Sequence, residues 1–207
     1  MAIDMARVKA VVFDLGGVLI EIDPGRCFRY WSDHGGSSPE ALRQKFVPDG
    51  PFERHERGEI DFAEYAGHLR GQLALNLDDD IMREGWNALL GDALPGAVDA
   101  IEQATRRYPC FLFSNSNPVH HATWGPAHQH LLAPLTRQFV SSELGFRKPE
   151  PRAYAAVAEL TGFAPETLLF FDDLEENVEA AQQIGFQAVT VSGPREVLAC
   201  ISGPVRD

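Results

Sequence analysis

The sequence predicts an α/β fold: a doubly wound parallel sheet, interrupted near its start by a small helical insertion. Three observations carry that expectation. Short apolar runs recur, and each stops at a polar group: Val11-Val12-Phe13 at Asp14, Cys110-Phe111-Leu112-Phe113 at Ser114, and Leu168-Leu169-Phe170-Phe171 at Asp172-Asp173. Runs rich in β-branched and aromatic residues and closed by such groups read as buried strands. Between them lie apolar stripes at helical spacing, and strands alternating with helices imply parallel pairing. The stretch from Pro24 to about Ala93 breaks this alternation, being rich in charge and free of a convincing strand.

In chain order, Lys9 to Asp14 reads as the first buried strand. The insertion follows, with helical spacings such as Phe62, Tyr65, Ala66 and Leu69. After Pro95-Gly96, residues Val98, Ile101 and Ala104 mark a helix, and Cys110 to Phe113 a strand that ends in Ser114. Phe139-Val140 is a shorter strand, Pro151 to Leu160 a helix, and Leu168 to Phe171 a strand. Val178, Ala181 and Ile184 form the stripe of a helix that stops at Gly185, a residue suited to a left-handed cap. Ala188 to Val191 is the last strand, followed by a short helix through Val197 and Leu198. No internal repeat or low-complexity stretch interrupts the pattern.

Composition narrows the class. With 207 residues, 44% apolar and 23% charged, the chain has the make-up of one soluble domain carrying an insertion. A formal net charge of -12 argues against a nucleic-acid or anionic-membrane surface. It leaves room for an anionic substrate, because a bound metal reverses the local field. Three scattered cysteines, Cys27, Cys110 and Cys200, fit unpaired thiols in a reducing compartment. The first residues lack a signal-peptide apolar stretch and no apolar run is long enough to span a bilayer, so a cytoplasmic location is expected.

The chemistry sits at strand ends, where open α/β sheets collect ligands. Asp14, Asp172 and Asp173 gathered there would repel one another unless a cation neutralised them. An all-oxygen set with no cysteine or histidine beside it suits magnesium. Ser114-Asn115 falls at a corresponding place, and Lys148, one of three lysines, lies in the loop Gly145-Phe146-Arg147-Lys148-Pro149. A carboxylate nucleophile, a hydroxyl, a cation and a metal cradle are parts suited to phosphoryl transfer.

The order Asp-Leu-Gly-Gly-Val, Ser-Asn, Lys-Pro, Asp-Asp resembles the four motifs of the haloacid dehalogenase (HAD) superfamily, and the insertion after the first motif resembles its subclass I cap. Phe52-Glu53-Arg54-His55-Glu56-Arg57-Gly58-Glu59-Ile60, Phe113-Ser114-Asn115-Ser116-Asn117 and Phe170-Phe171-Asp172-Asp173 resemble the bacterial α-D-glucose-1-phosphate phosphatase group. The similarity covers nearly the whole chain. It implies a Rossmann-like core over residues 1–23 and 94–207, a helical cap over 24–93, and a magnesium-dependent phosphatase acting on a small phosphorylated metabolite, with α-glucose 1-phosphate foremost. By the same resemblance, Asp14 would attack phosphorus. Its second oxygen, the Gly16 carbonyl and Asp173 would bind magnesium, with Asp172 supporting the metal directly or through water. Ser114, Asn115, Lys148 and Leu15 would hold the phosphoryl group, and Lys148 would also restrain the charge on Asp14.

One departure stands out. Most superfamily phosphatases carry a second aspartate two residues after the nucleophile as the acid–base group, and here that residue is Gly16. The glucose-1-phosphate phosphatase group resembles this chain in having glycine there. An anomeric phosphate needs less acid help, and the cap residues His55 or Glu56 are candidates to supply a proton. Two other readings stay open: a hydrolytic 2-haloacid dehalogenase, whose halide leaves unprotonated, and a non-catalytic binding module on a phosphatase fold. His120, His121, His128 and His130 read as a partly exposed loop rather than a zinc site. The Arg54, Glu56, Arg57, Glu59 run reads as a solvated cap-helix face, and Trp31 and Trp86 as cap core.

Overall fold

The computed structural model describes residues 3–35 and 37–202. Five strands form a parallel sheet in the order β5-β4-β1-β6-β7: β1 (Ala10–Phe13), β4 (Cys110–Ser114), β5 (Arg137–Val140), β6 (Leu168–Asp172) and β7 (Gln187–Thr190). The register sets Val12 of β1 beside Phe111 of β4 and Phe170 of β6. Two further strands, β2 (Ile20–Ile22) and β3 (Leu90–Ala93), pair antiparallel at the base of the insertion.

The central strands are apolar on both faces because both faces are covered. Val11 and Phe13, Cys110 and Leu112, and Leu169 and Phe171 enter one core. There they meet α6 (Ala97–Thr105), α7 (Pro118–Ala127), α8 (Gln129–Leu132) and α12 (Pro194–Ile201). The alternate residues, Ala10 and Val12, Phe111 and Phe113, and Leu168 and Phe170, enter a second core against α10 (Pro151–Thr161) and α11 (Glu175–Ile184). A strand buried on both sides reads as a continuous apolar run, which is why these segments stand out in the sequence. α9 (Ser141–Leu144) follows β5 directly, and a single 3₁₀ turn, Pro165–Thr167, leads into β6.

The inserted residues build a third core of their own from α1 (Pro24–Gly35), α2 (Pro39–Lys45), α3 (Gly50–Glu56), α4 (Phe62–Leu73) and α5 (Asp79–Asn87). Asp49, Asp61 and Asp78 start α3, α4 and α5 by accepting the N–H groups of Phe52, Glu64 and Ile81. Each such cap is worth about 1 kcal/mol. Trp31 is fully buried and stacks on Trp86 at 6.3 Å, so both tryptophans belong to this core.

Several expectations need correction. β3 lies inside the stretch read as free of strand, and β2 lies just before it. Ile101 and Ala104 face inward as expected, but Val98 is exposed and Ala97 and Ala100 complete the inward stripe of α6. The last strand is Gln187–Thr190, with Val191 just past its end. The histidine-rich segment is helical, since Asn117 caps α7 through the N–H groups of Val119 and His120, and Pro118 opens the helix where no N–H is needed.

Candidate active site

β1 and β6 are neighbours whose onward connections run to opposite sides, β1 toward β4 and β6 toward β7. That switch point is where an open α/β sheet leaves a crevice at its carboxyl edge. Asp14 immediately follows β1, Asp172 ends β6 and Ser114 ends β4, so strand geometry alone delivers three polar side chains to one edge. Lys148 arrives from the loop between α9 and α10. Its ammonium lies 2.7 Å from Asp14 Oδ1 and donates to Asp172 Oδ2 at 2.5 Å. The rings of Phe113 and Phe170 flank it at 5.2 and 5.4 Å. At 2% exposure this lysine is inside the protein, and burial alone would lower its pKa. Asp14 and Asp172 outweigh that effect, and the pKa is raised.

Asn115 fixes that lysine. Its side-chain amide donates to the Lys148 carbonyl and accepts the Lys148 N–H, both at 2.8 Å, next to a cis peptide bond between Lys148 and Pro149. Asp172 is equally constrained. Its Oδ1 accepts from the Leu174 N–H and from Asn177 Nδ2, both at 2.9 Å, while Oδ2 takes Lys148. Its bond to Leu174 also helps seat α11. Ser114 is buried and lines the cavity, but the cap of α7 is Asn117. Leu15 packs in the core and also borders the cavity.

Ligand oxygens of Asp14, Asp172 and Asp173 lie within 4.8 Å of one another. Burial pushes Asp14 up to about 7 against the pull of Lys148, and Asp172 adds to the rise. Asp173 is raised as well, by partial burial and then by Asp172. Carboxylates that resist ionising together are relieved by a cation, and an oxygen-only set fits a hard one such as magnesium. Gly17 holds the opposite wall. Its φ is +71°, and a Cβ there would stand 2.3 Å from Asp173 Oδ2, so only glycine lets the first turn approach this acid.

These groups open into a cavity of about 560 Å³ between the sheet edge and the inserted helices. Phe28, Trp31, Phe46, Phe52 and Trp86 form its far wall, and Glu56 from the end of α3 also lines it. The charged run around Glu56 is therefore not simply a solvated face. Glu56 Oε2 accepts from Arg147 Nε at 2.6 Å and its side chain is 12% exposed, while Arg57 pairs with Glu150 at 3.0 Å. Arg54 and Glu59 are the exposed members. His55 is absent from the cavity wall. It stacks on Tyr65 at 4.7 Å inside the helical core, and its Nδ1 bonds the Ile60 carbonyl at 3.2 Å. Ser141 ties the layers together, donating to the Glu56 carbonyl at 2.7 Å while accepting the Ser116 N–H at 2.9 Å.

The histidines divide by environment. His120 is buried between Asn117 and the Trp86 carbonyl, His128 is buried and bonds the Gly91 carbonyl, His121 faces Glu143, and His130 is exposed. The three inner rings serve as ties between elements. Asn177 and Ser141 are positioning groups that the sequence did not reveal, and Asn115, expected to offer its backbone N–H, adds a side-chain clamp on Lys148. Only Asn115 had a local signal, its place beside Ser114.

Residues 8–185 match the family of haloacid dehalogenase-like hydrolases. The chain belongs to that family. Among its HAD relatives, D-ribitol-5-phosphate phosphatase of Bacteroides thetaiotaomicron is 24% identical over 185 residues, covering 87% of this chain and 90% of that protein. Hexitol phosphatase A of Escherichia coli is 27% identical over 199 residues, covering 92% and 86%. A HAD enzyme of B. thetaiotaomicron, solved with magnesium and inorganic phosphate, superimposes with a TM-score of 0.76 at 29% identity, over 88% of this chain and 93% of that one.

Proposed function

We propose that this HAD-family chain is a magnesium-dependent phosphatase of small phosphorylated metabolites, acting through an aspartyl phosphate on Asp14. One observation carries the reading: a buried lysine bridges the carboxylates at the ends of β1 and β6, beside a third acid and a cavity of about 560 Å³. Relatives that hydrolyse ribitol 5-phosphate and hexitol phosphates, and a structural neighbour holding magnesium and phosphate, support it.

In this reading Asp14, the Gly16 carbonyl and Asp173 hold magnesium, and Asp172 supports them. The bound ion would supply positive charge to the transferring group. Asp14 attacks phosphorus with one oxygen. Lys148, Ser114 and the backbone N–H groups of Asn115 and Leu15 hold the phosphoryl oxygens, where charge develops. Asp172, with both oxygens occupied, keeps Lys148 in place rather than attacking. Residues 24–93 act as the cap that selects the substrate and excludes water. A sugar phosphate, α-D-glucose 1-phosphate first, is the proposed substrate, since a hemiacetal leaves readily from a site with glycine at residue 16. Three unpaired thiols suit a cytoplasmic setting.

The test is phosphate release from a panel of sugar and polyol phosphates, with and without magnesium, for wild type and Asp14→Asn. Magnesium-dependent release lost in the variant supports the reading. Activity on 2-haloacids that survives chelation would replace it with the dehalogenase.

A further inference from the structure

A phosphatase that expels an alkoxide needs a proton for the leaving oxygen, and residue 16 cannot bring one. The place is also filled. A Cβ built on Gly16 would stand 2.8 Å from Cγ1 of Ile22, so the Ile22 side chain stands where a side chain at residue 16 would begin. The donor has to come from elsewhere on the cavity wall.

Few groups there can serve. Asp14, Lys148 and Asp173 are committed to the nucleophile and metal side. Arg147 keeps its proton throughout the working pH range. The Cys27 thiol, its pKa pushed up to about 12 by burial, is turned to the Trp86 carbonyl at 3.5 Å. Both nitrogens of His120 are taken, one by Asn117 at 2.9 Å and the other by the Trp86 carbonyl at 3.0 Å. Among the described residues lining the cavity, Glu56 is the one that remains.

Building on the phosphatase reading, we propose that Glu56 of the inserted helices is the acid–base residue of this site, reaching the leaving oxygen from the side opposite Asp14. Its position is fixed at both ends. The backbone carbonyl accepts from Ser141, and Oε2 accepts from Arg147, which is shared with Glu53 at 3.5 Å. Among the described residues Oε1 has no donor, and it is the oxygen available to a ligand. Burial raises the carboxyl above the usual glutamate range, although Arg147 and Lys148 pull the other way and Glu53 adds to the rise.

The step balances. As Asp14 bonds to phosphorus, the ester P–O bond breaks, its electron pair stays on the leaving oxygen, and the Glu56 proton goes with it. In the second half water attacks phosphorus, its proton passes to Glu56, and Asp14 departs as a carboxylate. The site thereby recovers the acid–base cycle with a residue from the inserted helices.

The leaving group provides the test. Glu56→Gln and Glu56→Asp are compared with wild type on D-ribitol 5-phosphate, α-D-glucose 1-phosphate and 4-nitrophenyl phosphate, reading kcat/KM, which reports phosphoryl transfer. Glu56→Gln is expected to lose about 10²–10³-fold on the polyol phosphate, less on the hemiacetal, and under about threefold on the aryl ester, whose phenolate leaves unaided. Glu56→Asp keeps part of the activity on the polyol phosphate. Equal losses on all three, the mark of a cap merely loosened from Arg147, would overturn the assignment. If wild type releases phosphate from none of them, the phosphatase reading fails first, and the two failures are distinct.

Discussion

His120 joins the two halves of the molecule, and it should make the fold acid-sensitive. Its ring stacks on Trp86 at 4.9 Å, with Nε2–H donating to the Trp86 carbonyl and Nδ1 accepting from the Asn117 amide. The Asn117 carbonyl oxygen is already used by the N–H groups of Val119 and His120, which fixes the amide so that its NH₂ faces the ring. A second ring proton would meet another donor in a buried place. Burial is the main cause that lowers the pKa from an ordinary 6.5 to about 4, with His55 adding to it and the Trp86 carbonyl opposing it. Between those values the unfolded chain binds the proton and the folded chain does not. Stability from this group is therefore complete above pH 6.5 and falls as the pH drops toward 4. The gap between 6.5 and about 4, at 1.36 kcal/mol per decade, amounts to about 3 kcal/mol. Urea unfolding followed by tryptophan fluorescence near pH 7 and near pH 4 measures it. The difference between the two pH values should be smaller by about 3 kcal/mol in His120→Gln than in wild type. An identical pH response in both proteins would show that His120 does not carry the acid sensitivity.

Two further outcomes follow from the site's packing. Lys148→Met removes the cation shared by Asp14 and Asp172 and leaves both acids buried, so denaturant unfolding near neutral pH should show a loss of about 3–5 kcal/mol along with loss of turnover. Gly17→Ala places a methyl against Asp173 and strains a left-handed turn. Calorimetric titration should show magnesium affinity reduced by about tenfold or more, with the fold retained.

The parts legible in the sequence are those whose signal is local. β1, β4 and β6 announce themselves because strands covered on both faces are apolar at every residue, and the polar group that ends each run falls at the sheet edge by construction. Asp14, Ser114 and Asp172 needed no more than that to be placed at the edge. What was illegible depends on partners far along the chain. Glu56 and Arg57 read as surface charges until Arg147 and Glu150, more than 90 residues on, cover them. The clamp of Asn115 on Lys148 spans 33 residues and has no spacing rule. β2 and β3 escaped because they are three and four residues long, mostly not buried, and built in part from Glu21, Gly91 and Asp92, which strands disfavour. α7 was hidden by Pro118, Gly125 and Pro126, residues that usually mark a loop. The Gly16 departure was visible from the start, but its counterpart, Ile22 filling the space, needed coordinates.

The proposed reaction requires that Asp14 become covalently phosphorylated. Rapid acid quench of the protein turning over α-D-glucose 1-phosphate with magnesium, followed by mass analysis of its peptides, tests it directly. A single phosphoryl group on the peptide holding Asp14, labile to hydroxylamine and absent in Asp14→Asn, is the predicted result. Phosphate release with no such adduct, or an adduct on another residue, would contradict it.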